Sequence, residues 1–383
     1  MQTPVLTLLS VIGLSASAYS AVDEAIATIL SVGNEGQGNA EAGAAWDELS
    51  SAGIDQIPTI LAEMEGANPL AANYLRSAID TIVARETQAD QSLPMAALGD
   101  ILLDPRQSSQ ARSFAFELIE RTNPDTATKL IPGMLNDPSV DLRRRAVQRL
   151  IDEAKAIEND DAILIYRQAL SAARDADQVQ TIAKALREKG QEVDLPLHFG
   201  FLMHWDIIGP FDNTERKGFE TVYPPETEFD LDASYPGKEG EVSWQPYVTT
   251  DETGKLDFNK PYGLLKEVVA YAYTEFNATQ AQAVELRLGG KNAWKVWLNG
   301  ELLFGRDEYH RGARIDQYTM KTDLLEGPNQ ILVKCCQNEQ ERDWTVQWEF
   351  QLRVCDETGT AVLAQDRPPT PKPEAARRRP SQG

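Results

Sequence analysis

The sequence predicts two folded modules in series, an α-helical repeat array followed by an antiparallel β-sandwich, a multidomain α + β chain. Three observations carry this. The chain has 383 residues, room for two domains of about 100–200 residues each. Up to about residue 190 the apolar residues recur at helical spacing, and Asn-Pro and Asp-Pro pairs punctuate them at regular intervals. From about Val193 the apolar period falls to two, and Gly, Pro and short alternating runs replace the helical stripe.

Residues 1–21 carry the pattern of an export signal. Val5 to Leu14 is almost wholly apolar, the length of a signal core and too short to cross a bilayer. Ala16-Ser17-Ala18 fits the small-residue cleavage pattern, and a cut after Ala21 fits as well. The segment departs from the pattern in having no Lys or Arg ahead of its apolar core. The chain is therefore expected to be exported, periplasmic or extracellular after cleavage near Ala18 or Ala21. No later stretch reaches the roughly 20 apolar residues of a membrane helix, so no transmembrane segment is expected. The formal net charge is −22, and near −26 once the basic stretch Arg367–Gly383 is set aside. Such acidity repels phosphates and argues against nucleic acid as a partner.

The helical module is expected over residues 22–192. A turn at Gly33–Gly38 precedes a helix over Ala40–Ser51. Three segments then share one plan: a short apolar helix, a turn at Asn68-Pro69, Asp104-Pro105 or Asp137-Pro138, and an amphipathic helix. After the first turn the stripe is Leu75, Ala78, Ile79, Ile82 and Val83; after the second it is Ala111, Phe114, Ala115, Leu118 and Ile119. The third gives Ala146, Val147, Leu150 and Ile151 after a one-residue deletion, and a looser fourth runs from Ala162 to Gly190. The Asp or Asn side chain can cap the helix while Pro fits its first turn. Arg76, Arg112 and Arg144 stand at matching positions and are expected to brace a neighbouring turn rather than a ligand. Over residues 55–190 this pattern resembles the HEAT-repeat family, in an armadillo-type, shorter form. The resemblance implies a short curved solenoid that presents its surface to a protein partner.

The β module is expected over 193–365, with a lead-in segment over 193–262 and a disordered Pro- and Arg-rich tail over 366–383. Trp294–Leu298 and Glu301–Phe304 flank Asn299-Gly300, the strongest short hairpin signal. Val268–Tyr273 and Val284–Leu288 read as further strands. Thr345–Val354 alternates, with Val346, Trp348, Phe350, Leu352 and Val354 inward and the intervening residues wet. Ile331–Cys336 is expected to pair with it as a hairpin around Asn338–Asp343, setting Cys335 opposite Val346. Cys355 would then lie roughly 30 Å away at about 3.3 Å per residue, beyond disulfide reach. Cys335, Cys336 and Cys355 are thus expected to be unpaired within the monomer. Val296–Gly300 and Leu325–Val333 resemble segments of the galactose-binding-like β-sandwich, a jelly roll appended to exported bacterial glycosidases and esterases. Trp205–Phe211 and Tyr223-Pro224-Pro225-Glu226 look like the lead-in of similar exported proteins.

The polar cluster with most chemistry is the loop Arg306–Asp316. A sugar site needs bidentate polar groups for hydroxyls and an aromatic face. Arg306, Asp307, His310, Arg311 and Asp316 offer the first, and Trp297, alternating with Val296 and Leu298, offers the second. The competing reading is a solvated loop closed by its own ion pairs, with Trp297 covered by the lead-in. His198 and His204 lack a third His or a Cys at zinc spacing. A structural Ca²⁺ stays open on acidity alone, without the spaced oxygen pattern of a calcium loop; otherwise no cofactor is expected. No nucleophile elbow, phosphate loop or dinucleotide loop occurs in the sequence. The expectation is an exported, non-enzymatic binding or scaffold protein, with a glycan as the possible ligand of the sandwich. The alternatives are an accessory subunit or enzyme of carbohydrate degradation, and a structural envelope protein.

Overall fold

The computed structural model describes residues 21–372. The expected cleavage sites and the tail beyond Lys372 fall outside those residues, apart from Ala21 itself. Contacts divide the chain into two compact units between Ala146 and Val147.

The first unit is helical: α1 (Ala21–Leu30), α2 (Asn39–Ser50), α3 (Ile57–Ala62), α4 (Pro69–Gln88), α5 (Met95–Leu103), α6 (Ser109–Thr122), α7 (Pro124–Leu130) and the opening turns of α8 (Val140–Lys155). The stripes behave as their spacing requires. Leu75, Ala78, Ile79 and Ile82 of α4 and Phe114, Ala115, Leu118 and Ile119 of α6 share one buried core with Ile57, Ile60 and Leu61. Asn68 caps α4, its side chain accepting from Leu70 and Ala71 N–H with Pro69 in the first turn. The second turn works differently. Asp104 ends α5, and Ser108 caps α6 by accepting from Ala111 N–H. Arg112 is the brace the repeat pattern implied: it donates to Leu102 O (2.9 Å) and to both carboxylate oxygens of Asp137 (2.8 and 2.5 Å). Arg76 instead lies over the Phe114 ring at 4.2 Å and pairs with Glu117 on α6.

The second unit continues with the rest of α8, then α9 (Asp161–Ala172), α10 (Ala176–Glu188) and α11 (Leu195–Phe199). Strands follow: β1 (His204–Asp212), β2 (Ser234–Gly237), β3 (Gly240–Ser243), β4 (Gln245–Val248), β5 (Leu256–Asp257), β6 (Val268–Ala278), β7 (Gln282–Gly290), β8 (Ala293–Leu298), β9 (Glu301–Arg306), β10 (Tyr318–Leu324), β11 (Gly327–Gln337) and β12 (Glu349–Cys355), with α12 (Asn259–Tyr262) before β6. They form a six-stranded sheet, β4-β1-β6-β11-β8-β9, a four-stranded sheet, β10-β7-β12-β5, and a β2-β3 ribbon, all antiparallel. Ile207, Ala270, Val296 and Val333 of the larger sheet meet Leu286, Leu288, Phe350 and Leu352 of the smaller in one core. Trp205 is part of it, its ring edge on Phe350 at 5.3 Å. A second cluster covers the other face of the six-stranded sheet, where Ile208, Tyr271, Tyr273 and Trp297 pack under Phe219, Tyr235 and Val242. Burial on both faces explains why Val268–Tyr273 reads as an unbroken apolar run rather than an alternating one.

The expected hairpin of Ile331–Cys336 with Thr345–Val354 does not form. β11 lies in the larger sheet, paired on both edges by β6 and β8, so it has no edge left; β12 lies in the other sheet between β7 and β5. The strand also starts later than expected, because Asp343–Thr345 is a 3-10 turn and the Gln337 amide donates to the carbonyls of Thr345, Val346 and Gln347. The face of β12 expected to be wet is buried as well. Arg353 is fully buried, and it donates to Asp316 and to the carbonyls of Phe199 and Gly359. The three cysteines are free and buried: Cys335 and Cys336 face opposite clusters, and Cys355 ends a strand of the other sheet. Arg367, at the head of the expected tail, donates to Phe201 O (2.9 Å) and Pro196 O (3.2 Å).

Candidate ligand pocket beside Trp297

Asn299 (φ 51°) and Gly300 (φ 81°) take the left-handed backbone that a two-residue hairpin requires. The turn fixes β8 against β9, and the pleat then sends Trp294, Val296 and Leu298 into the core between the sheets and Trp297 to the opposite face. Trp297 is not left in water there, being 7% exposed. It forms one wall of a pocket of about 160 Å³ with Tyr273 of β6, Leu332 of β11 and Phe229 of the lead-in. Pro225, Glu226, Thr227, Gly300 and Gln330 complete the lining. The Phe229 ring lies 4.2 Å from Tyr273 and 5.6 Å from Trp244, centroid to centroid.

One polar group is built into this aromatic surface. The turn Tyr223-Pro224-Pro225-Glu226 is stiffened by its prolines and by the Glu226 N–H bond to Tyr223 O (2.9 Å). It delivers the Glu226 carboxylate to Lys334 Nζ (2.8 Å) and the Tyr271 hydroxyl. Lys334 has no exposed side-chain surface, and it also donates to Thr221 O (2.7 Å) and Phe219 O (3.2 Å). Its ammonium lies 5.4 Å from the Tyr223 ring and 5.7 Å from Tyr271. Burial lowers the Lys334 pKa and the Glu226 carboxylate opposes that shift. Burial likewise drives the Tyr271 hydroxyl well up, reinforced by Glu226.

The loop Arg306–Asp316 lies apart from this pocket. Arg306 and Arg311 each pair with Glu308, at 2.9 and 3.0 Å. The His310 ring nitrogen meets Asn338 Oδ1 at 3.0 Å, and burial lowers its pKa. Burial raises the pKa of Asp307, with Glu220 adding to the effect. Asp316 leaves the loop for the outer side of the other sheet, where Arg353 and Arg287 hold it. Of the six residues singled out in the sequence, only Trp297 reaches the pocket. Tyr273, Phe229 and Glu226 were not singled out as site residues. Glu226 had a signal in its Pro-Pro turn, but its partners Tyr271 and Lys334 are 45 and 108 positions away. His198 and His204 do not form a shared site: the His198 ring meets Ala173 O at 3.0 Å. Among the described residues, no group of three or more His, Cys, Asp or Glu is placed to hold a metal ion. No helix among them is long and apolar enough to cross a membrane.

Fold and site together describe helices followed by stacked antiparallel sheets, with a ring-sized pocket on one sheet. No protein-family model and no curated protein matches the chain. Among solved structures it is similar to a Faecalibacterium prausnitzii β-glucuronidase, at 15% identity and TM-score 0.23 over 37% of this chain and 21% of that one. The chain thus spans about a fifth of that enzyme's length. It is also similar to a family 35 carbohydrate-binding module from Clostridium thermocellum (11% identity, TM-score 0.17, 27% of this chain and 88% of that one). A third is a Pseudomonas fluorescens alkylpurine DNA glycosylase (10% identity, TM-score 0.22, 89% and 94%).

Proposed function

We propose that this chain is an exported, non-enzymatic binding or scaffold protein. Its helices stack as HEAT-like repeats and offer a surface to a protein partner. Its sheets are a jelly roll of the galactose-binding-like type that holds a carbohydrate. The observation that supports the carbohydrate is the pocket beside Trp297: aromatic walls suit the apolar face of a sugar ring, while Glu226, Gln330 and Thr227 offer partners to its hydroxyls. A glycan-array screen of the full chain tests the reading, and an array without a single bound glycan ends it. Gln330 is exposed at the rim. Gln330→Ala is expected to weaken glycan binding several-fold while stability stays within about 0.5 kcal/mol. Trp297→Ala should lose binding and also about 3–5 kcal/mol of stability, since the ring is buried. Export is checked by sequencing the N-terminus of the secreted chain, expected at Tyr19 or Val22.

A further inference from the structure

We infer that Glu226 decides what this pocket takes: one uncharged six-membered sugar ring, free or at a chain end, oriented by a hydroxyl that donates to Glu226 Oε2. The inference rests on the carbohydrate reading and narrows it.

Glu226 is held through one oxygen only. Its Oε1 accepts from Lys334 Nζ (2.8 Å), from the Tyr271 hydroxyl and, at 3.4 Å, from Tyr223 N–H. None of these donors goes to Oε2. The side chain keeps 9% of its exposure, and the residue lines the pocket. The carboxylate is thus immobilised through Oε1, and Oε2 is left to accept from a ligand in the pocket that Glu226 lines. A hydroxyl supplied there forms a charge-assisted bond without the ordering cost of a mobile side chain.

Charge selects within the possible donors. Lys334 is fully buried beside Glu226, so the pair is already neutral. A ligand cation would gain Glu226 but also face Lys334, and a ligand anion would face the open oxygen. A neutral hydroxyl meets neither penalty. Size selects again. The pocket is about 160 Å³, close to the cavity of about 150 Å³ that holds a single benzene ring. One pyranose fills it, and any second residue of a glycan stays outside.

The test is calorimetric titration of the full chain with methyl glycosides of glucose, galactose, mannose and xylose, and with their deoxy analogues. Tetramethylammonium and a methyl uronate serve as the charged probes. A neutral glycoside is expected to bind, and removing one particular hydroxyl from it should weaken binding about tenfold or more. In Glu226→Gln that penalty should shrink below about twofold, because the amide oxygen stays with Lys334 and Tyr271 and an uncharged NH2 group, which cannot accept, takes the place of Oε2. Gln leaves the Lys334 charge unpaired, so Glu226→Gln/Lys334→Met, which removes both charges, is measured beside it with the same expectation. A wild-type chain in which no deoxy analogue loses more than about twofold overturns the inference. So does preference for tetramethylammonium or the uronate, or a Glu226→Gln chain that keeps the deoxy penalty. In those cases glycosides still bind and the carbohydrate reading survives. If no glycoside binds at all, this inference fails, and the glycan array decides whether the carbohydrate reading fails with it.

Discussion

Asp316 and Arg353 illustrate how a single residue is decided by partners that chain order hides. Burial raises the Asp316 pKa, but hydrogen bonds and charge from Arg353 and Arg287 outweigh it and hold the carboxyl below its ordinary value. A depressed carboxyl stabilises the fold above its unfolded pKa of about 3.9, and that contribution fades as pH falls through the lower folded value. Asp316→Asn leaves the fully buried Arg353 without a carboxylate, and should cost about 3–5 kcal/mol at neutral pH, read as a lowered melting temperature. Its acid limb below about pH 4 should also be shallower than the wild type's. His198 has the opposite chemistry. Burial first, and the Arg174 charge second, push its pKa down to about 4. The unfolded chain takes up that proton near pH 6.5 and the folded chain only near 4, so stability should fall as pH drops through this window, by at most about 3 kcal/mol. His198→Gln should flatten melting temperature against pH between those limits; an unchanged slope would show that His198 titrates normally. In the sequence Asp316 falls in a loop cluster with Arg306, its neighbour along the chain. Its actual partners, Arg287 and Arg353, are 29 and 37 positions away.

At the scale of elements, what was legible was local. The Asn299-Gly300 turn, the Asn68 cap and the apolar stripes each depend on residues within one or two turns of chain. Asn68→Ala is expected to cost about 1–2 kcal/mol, since it removes the cap of α4. It also removes the bond from Asn68 Nδ2 to Val32 O (2.6 Å). Gly300→Ala should cost about 1 kcal/mol from the backbone alone, since φ is +81° and a Cβ there meets nothing within 4 Å. Chemical denaturation of each variant reads both values, and a Gly300→Ala chain as stable as the wild type would contradict the turn geometry. Pairing was not legible. The spacing of β11 and β12 suits a hairpin, and no local feature reveals that both edges of β11 are taken by β6 and β8. Trp297 lay between these cases: alternation placed it on the right face and left open whether the lead-in covers it, and the fold brings Pro225 and Phe229 of the lead-in beside it while Trp205 lies in the core of the other face.

For the whole molecule, apolar period and compactness mark different places. The period changes between α10 and β1, while contacts thin out inside α8. Periodicity reports backbone type, whereas compactness depends on which elements share contacts. The stretch from the α9–α10 connection to α11 contacts the strands and their loops: Arg174 donates to Thr360 (3.0 Å) after β12, Arg187 of α10 pairs with Glu252 (2.9 Å) in the loop before β5, and Phe199 O of α11 receives Arg353 (3.1 Å) of β12. A chain of residues 156–372 is therefore expected to melt cooperatively, and one of 200–372 to melt about 5 °C lower or more. Equal melting would mean that these helices contribute nothing to the sheets' stability. The strand order carries a further consequence, in time rather than in space. β11 and β12 come last in sequence among the strands, yet each sits between two partners inside its sheet. Neither sheet is continuous until they arrive. During synthesis the helical unit has its neighbours in hand as it emerges, whereas the strands from β1 onward must wait with their edges open for the chain to be nearly finished. In refolding from denaturant, helical ellipticity should recover ahead of the burial of Trp294 and Trp348, and the interval is when the protein is most exposed to aggregation.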